Sequence, residues 1–116
     1  LHHERGLALF MGDAERPVLQ RLLAEGLEVR AEVLIAPHHG SYTGFLPQFF
    51  QAVRPQLVVA SCGSRYAYPD KKLREWLAEN HISLAYTSRD GAVRIAWQRA
   101  GQGFSLPRIS TARKQK

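Results

Sequence analysis

Ile35-Ala36-Pro37-His38-His39-Gly40-Ser41, read together with Phe10-Met11-Gly12-Asp13, is the stretch that decides how this chain folds. Each polar cluster directly follows a short apolar run, Val33 to Ala36 and Leu7 to Met11, and such runs read as buried strands. Polar clusters at the ends of buried strands lie at the edge of a sheet where open α/β folds build their sites. An Asp after a Gly, and two imidazoles ahead of Gly-Ser, offer an oxygen donor for a metal and two groups for ligation or proton transfer. The same residues have a plainer reading, with Asp13 as a helix N-cap and His38-His39 as an ordinary loop. Spacing alone does not separate the two.

Outward from these clusters, apolar periodicity lays out the rest of the chain. Val18, Leu19, Leu22 and Leu23 recur at three-to-four spacing while Glu15, Arg16, Gln20 and Arg21 fall elsewhere, which predicts a helix capped by Asp13, with Pro17 in its first turn and Gly26 at its end. A strand over 32–36 leaves the sheet at Pro37. A second helix over 46–53 presents Phe45, Phe49, Phe50 and Val53 to a core and stops before Pro55. Leu57 to Ser61 is a further strand, and a third helix over 70–80 buries Leu73, Trp76 and Leu77. Strands over 82–87 and 92–97, joined by a turn at Arg89-Asp90-Gly91, predict a hairpin. The resulting order βαβαβαββ predicts an α/β layered fold: a mixed sheet, about three helices and a C-terminal β-hairpin.

Composition bounds the function. The 116 residues, 45% hydrophobic and 22% charged, suffice for one domain with a modest core. The formal charge is +6, yet residues 1–98 carry eleven Lys/Arg against ten Asp/Glu, and the five basic groups of 99–116 (Arg99, Arg108, Arg113, Lys114, Lys116) account for the surplus. This divides the chain into a domain over 1–98 and a basic, disordered tail over 99–116, and argues against a shaped nucleic-acid groove. Cys62 is the single cysteine, so an intrachain disulfide and a four-thiolate zinc site are excluded. No stretch approaches the roughly twenty apolar residues of a membrane span, so the chain is expected to be soluble. It opens on Leu1-His2-His3-Glu4 without an initiator Met, which suggests a piece of something longer; His2 and His3 read as exposed terminal residues, and His81 as a loop residue.

From Leu7 to Trp97 the sequence resembles the C-terminal half of the metallo-β-lactamase-like domain of ComEC-type DNA-uptake proteins. The resemblance rests on Gly12-Asp13, Ala36-Pro37-His38-His39-Gly40-Ser41, Val53-Arg54-Pro55, the strand before Gly63, the Tyr-x-x-Pro corner at Tyr66-Ala67-Tyr68-Pro69 and Arg89-Asp90-Gly91-Ala92-Val93. It implies half of an αββα sandwich, each half giving one sheet and its helices. It also implies a metal site, with Asp13 matching the carboxylate that bridges two metal ions, zinc or manganese, and His38 as a metal ligand. His38, His39, Ser41 and Tyr68 match catalytic positions. The family corner usually reads Tyr-Gly-His-Pro, so Tyr68 puts a phenol where an imidazole is usual, a poor zinc ligand at neutral pH unless the metal deprotonates it. The His-x-His-x-Asp-His cluster of the family's first half is absent, so the metal is expected only in the complete domain.

The implied reaction is metal-assisted phosphodiester hydrolysis of single-stranded DNA during natural transformation, with this chain inactive alone. Two alternatives remain: a degenerate, non-catalytic DNA-binding or scaffold domain, favoured by Tyr68, and a small phosphoester or lactone hydrolase of the same superfamily. The implied partners are the missing N-terminal half, the membrane channel of the parent and single-stranded DNA. The parent is expected in the inner membrane with this domain in the periplasm. Without its other half, the sheet face left open predicts self-association.

Overall fold

The computed structural model describes residues 8–62, 69–96, 99–100, 103–104 and 108–111. Strands β1 (Ala8–Phe10), β2 (Val33–Ile35), β3 (Leu57–Ala60) and β4 (Ser83–Tyr86) lie side by side in that order, all parallel. Their registers, Phe10 against Ile35 and Ile35 against Val59, bring the carboxyl ends to one edge. Helices α1 (Arg16–Ala24), α2 (Pro47–Val53) and α3 (Lys71–Glu79) make the crossovers. Right-handed crossovers that always step the same way along a sheet place every helix on the same face.

Strand alternation then sorts the apolar side chains into two layers. On the helix side, Leu34, Ala36, Val58 and Ala60 pack against Leu19, Phe49, Phe50, Val53, Leu73 and Leu77, with Phe45 and Trp76 edge-on to Phe50. On the other side, Val33, Leu57, Val59 and Ala85 meet Ile35 and, from β5 (Val93–Ala96), Val93 and Ile95. This second layer has no helix, because β5 pairs antiparallel with β8 (Arg108–Thr111) and reaches the sheet as a ribbon. The small pair β6 (Arg99–Ala100) and β7 (Gly103–Phe104) lies between them in sequence.

The three longer helices follow the sequence reading, with local corrections. α1 starts with Glu15, not Asp13, at its N-cap, and that cap makes no side-chain hydrogen bond. Leu19 is buried, but Val18 is exposed, since a nine-residue helix resting on one side of a narrow sheet buries a single stripe. Asp70 caps α3 by accepting from the Lys72 amide at 2.8 Å. α2 ends at Arg54 with φ +52, immediately before Pro55, as a proline-stopped helix should.

Three expectations change. The four-stranded sheet is parallel throughout, not mixed. The strand over Leu7 to Met11 is not fully buried: β1 is the edge strand, and Phe10 is 73% exposed. The hairpin of 82–87 with 92–97 does not form, for β4 pairs parallel with β3 and the supposed turn closes into a short helix, α4 (Thr87–Asp90), before Gly91 at φ +71. Its cause is Asp90, which turns inward to accept from the Tyr86 amide at 3.0 Å and from Arg89 Nε and Nη2 at 2.8 Å each. That hydrogen bond to Asp90 raises the Arg89 pKa against the opposing effect of burial. Within 99–116, the described strand β8 satisfies the backbone of β5. Among the described residues no helix is long and apolar enough to cross a membrane.

Candidate functional site

Two loops leave the carboxyl edge of the sheet and are stitched together by a backbone bond. The chain turns at Gly12 (φ +57) after β1, and the His38 amide, just after β2, donates to the Gly12 carbonyl at 2.7 Å. That single bond places Asp13 against the His pair, twenty-five residues further on. Gly12 has open space where a Cβ would stand, so its role is conformational.

The His loop itself is tightly wound. His38, His39 and Gly40 all have positive φ, at 50, 59 and 81°. A left-handed conformation costs an ordinary residue about 1–2 kcal/mol, so two successive non-glycine residues there need support from their surroundings. The support is visible at both ends. A Cβ on Gly40 would lie 3.1 Å from Pro69 Cβ and 3.2 Å from Ala60 Cβ, and the Gly40 carbonyl accepts from the Asp70 amide at 2.8 Å. Gly44 seats its backbone directly on the Pro37 carbonyl.

The winding sends the two imidazoles to different partners. His39 Nδ1 lies 2.8 Å from the Ser61 carbonyl oxygen, which can only accept, so Nδ1 carries hydrogen. Its Nε2 stands 3.3 Å from Asp13 Oδ1. With Nε2 unprotonated, two acceptors would face each other; the contact is favourable when the ring is an imidazolium or when a cation sits between them. Donors held at zinc distances with a tetrahedral angle are about 3.3–3.5 Å apart, so the pair fits two positions of a metal site in both chemistry and separation. Among the described residues no group of three or more His, Cys, Asp or Glu is gathered to complete it.

His38 faces away from Asp13. Its Nδ1 lies 2.7 Å from Ser41 Oγ, 3.0 Å from Thr43 Oγ1 and 3.6 Å from Glu15 Oε2, and the two hydroxyls are 3.0 Å apart. Ser41 is buried, so its hydroxyl holds the ring in place rather than standing open to a substrate. Thus the structure brings Asp13 to His39 and Ser41 to His38. Tyr68 lies outside the described residues, as do His2 and His3. His81 is exposed at the end of α3, ahead of β4, and therefore at the opposite edge of the sheet.

A cavity of about 240 Å³ opens between Asp13, His39 and Ser61 on one side and Phe10 and Ile35 on the other. It lies on the helix-free face, beside the exposed Phe10. Further back, Thr87 Oγ1 both accepts from the Cys62 amide at 2.9 Å and donates to the Cys62 carbonyl at 2.8 Å. This pair of hydrogen bonds fixes the end of β3 and, with it, the Ser61 carbonyl that sets the tautomer of His39. Glu15, Thr43, Ser61 and Thr87 all take part, and sequence reasoning missed them. Thr43 and Glu15 sit two residues from recognised positions and were within reach; Ser61 acts through its backbone and Thr87 from the start of the distant α4, so neither leaves a spacing signal.

Two curated proteins are similar to the chain along most of its length. Over 100 residues it is 26% identical to ComE operon protein 3 of Bacillus subtilis (strain 168), covering 84% of this chain and 13% of that protein. Over 100 residues it is 31% identical to competence protein ComA of Neisseria gonorrhoeae, covering 83% of this chain and 14% of that protein. The chain is thus related to competence proteins of the ComEC type and spans about one-seventh of their length. No protein-family model matches it, and no solved structure does.

Proposed function

We propose that this chain is the second half of a metallo-β-lactamase-like hydrolase domain in a DNA-uptake protein, and that the complete domain cuts single-stranded DNA. The observation that carries this reading is the Asp13–His39 pair, two donors 3.3 Å apart at the carboxyl edge of a parallel sheet, in a chain related to competence proteins. The one-sided helix layer also suits one half of a sandwich whose second sheet would cover Phe10 and Ile35.

In that domain Asp13 and His39 hold one side of a metal site, and the remaining donors come from the other half and from outside the described residues. A divalent cation, zinc or manganese, would supply Lewis acidity and an activated water there. His39 keeps its hydrogen on Nδ1 through the Ser61 carbonyl, so that Nε2 remains the donor. His38, held at Nδ1 by Ser41 and Thr43, has Nε2 for passing a proton to the leaving oxygen. Asp13 and His39 are two donors among the described residues where zinc needs three or four, so on this reading the chain is inactive without the other half.

The test uses a longer protein that includes the upstream half. It should bind metal stoichiometrically by elemental analysis and cut single-stranded DNA, and Asp13→Ala should abolish cutting. A metal-loaded long protein without nuclease activity would refute the proposal. One feature favours a second reading, a non-catalytic DNA-binding or scaffold domain: Tyr68 stands where the family corner usually carries a His. That reading expects no stoichiometric metal even in the long protein. The proposal also puts the domain on the periplasmic side of an inner-membrane parent, so protease added to spheroplasts should digest it; protection would place it on the other side.

A further inference from the structure

On the far side of the His38 loop lies a second cavity, of about 290 Å³, lined by Arg16, Tyr42, Phe45, Leu46, Pro47 and Lys72. Two cations and an aromatic ring meet there, and among the described residues no carboxylate lines it. The Arg16 guanidinium carbon is 4.0 Å from the Tyr42 ring centroid, and Lys72 Nζ is 5.4 Å from the same point. Tyr42 remains 46% exposed.

Arg16 is anchored by backbone carbonyls and, among the described residues, has no ion pair. Its Nε donates to the Phe45 carbonyl at 3.1 Å and one Nη2 hydrogen to the Tyr42 carbonyl at 2.7 Å, which leaves three of five N–H groups for a ligand. Arg89 provides the contrast: it too lies over a tyrosine, Tyr86, but the Asp90 carboxylate accompanies it. The carboxylates nearest Arg16 and Lys72 in sequence, Glu15 and Asp70, are engaged with other groups than these two cations. Glu15 points to His38, and Asp70 is engaged as the N-cap of α3, accepting from the Lys72 backbone amide and not from its ammonium. Among the described residues, Lys72 Nζ has no ion pair. An anchored guanidinium and an exposed ammonium over one ring, neither with an ion pair among the described residues, in a concave and partly aromatic setting, call for an anionic ligand.

We propose that Arg16 and Lys72, gathered on Tyr42, form a phosphate-binding subsite for a single-stranded polynucleotide that runs past the His38 loop. This rests on the reading of the chain as part of a DNA-cutting domain. Position supports it: Arg16 follows Glu15, and Tyr42 stands between Ser41 and Thr43, all three of which contact His38. A strand with one phosphate on Arg16 and Lys72 would present a neighbouring phosphodiester to the candidate site. The subsite was hidden in the sequence because charge counting assigned the positive surplus to the tail, whereas these two cations come from helices fifty-six residues apart.

The experiment measures fluorescence anisotropy of a labelled oligothymidylate of about twenty nucleotides with the 116-residue chain across a salt series. Each lost phosphate contact lowers the slope of log affinity against log salt by about 0.7 for single strands, so Lys72→Gln should weaken binding several-fold and flatten the slope by that amount. Tyr42→Leu, which frees both cations, should weaken binding comparably, while Tyr42→Phe should restore it, because the ring and not the hydroxyl holds them. Polyglutamate should not displace the oligonucleotide. No binding by the wild-type chain, an unchanged affinity and slope in Lys72→Gln, or equal displacement by polyglutamate would overturn the proposal. Failure here is separable from failure of the hydrolase reading. A chain with this binding signature inside a long protein that cuts nothing leaves the subsite standing. Cutting with a KM unaffected by Lys72→Gln leaves the hydrolase reading and removes the subsite.

Discussion

Replacing Asp90 tests the framework behind the His loop. This side chain is fully buried, at 0% exposure, and takes hydrogen bonds from the Tyr86 amide and from two nitrogens of Arg89. In Asp90→Ala the Tyr86 amide loses a buried acceptor, which costs about 1–3 kcal/mol. Arg89 adds little to the loss, since its side chain is 41% exposed and can turn to water. The expected destabilisation is about 1–3 kcal/mol, which at a urea dependence of about 1.5–2 kcal/mol per M moves the unfolding midpoint down by about 0.5–2 M. Asp90→Asn keeps an oxygen for the amide and loses only the charge, so it should cost about 1 kcal/mol. Urea titration followed by tryptophan fluorescence measures both. Loss of α4 should also free Thr87 from Cys62, so that the Cys62 amide exchanges faster with solvent in Asp90→Ala. A midpoint shift for Asp90→Ala below about 0.3 M would refute the reasoning, and so would an Asn variant as unstable as the Ala one.

Other expectations follow from backbone and surface. His81 follows the Asn80 C-cap of α3 at φ +58 and is exposed, so His81→Gly should stabilise the chain by about 0.5–1 kcal/mol in the same titration; destabilisation would contradict this account of the helix end. Gly44→Ala would drive a Cβ into the Pro37 carbonyl, 2.8 Å from its carbon, and should cost more than 2 kcal/mol and disorder the His38 contacts with Ser41 and Thr43; an unperturbed His38 imidazole spectrum would argue otherwise. The helix-free face with exposed Phe10 should drive concentration-dependent self-association in sedimentation experiments, and Phe10→Ser should reduce it. A wild-type chain that stays monomeric at every concentration rules that out.

Periodicity in the sequence was enough to determine the three longer helices, the four short strands of the parallel sheet and the position of both polar clusters at strand ends. Those features depend on spacing within about ten residues, where a side chain's face is set by the local turn of the backbone. Pro17, Pro47 and Pro55 mark helix ends for the same local reason. Partner choice was not legible in this way. The Arg89-Asp90-Gly91 signal favours a hairpin locally, but burial of Asp90 against the Tyr86 amide closes a helical turn, and β5 finds its partner in β8. Nor does spacing say which of two adjacent histidines meets Asp13. That follows from the left-handed winding of His38 and His39, sustained by the close contacts of Gly40 and Gly44, and from the bond of His38 to Gly12. The tertiary structure alone decided that His39 pairs with Asp13, that His38 belongs to Ser41, Thr43 and Glu15, and that Arg16 and Lys72 share one tyrosine, because each depends on where distant backbone segments come to rest.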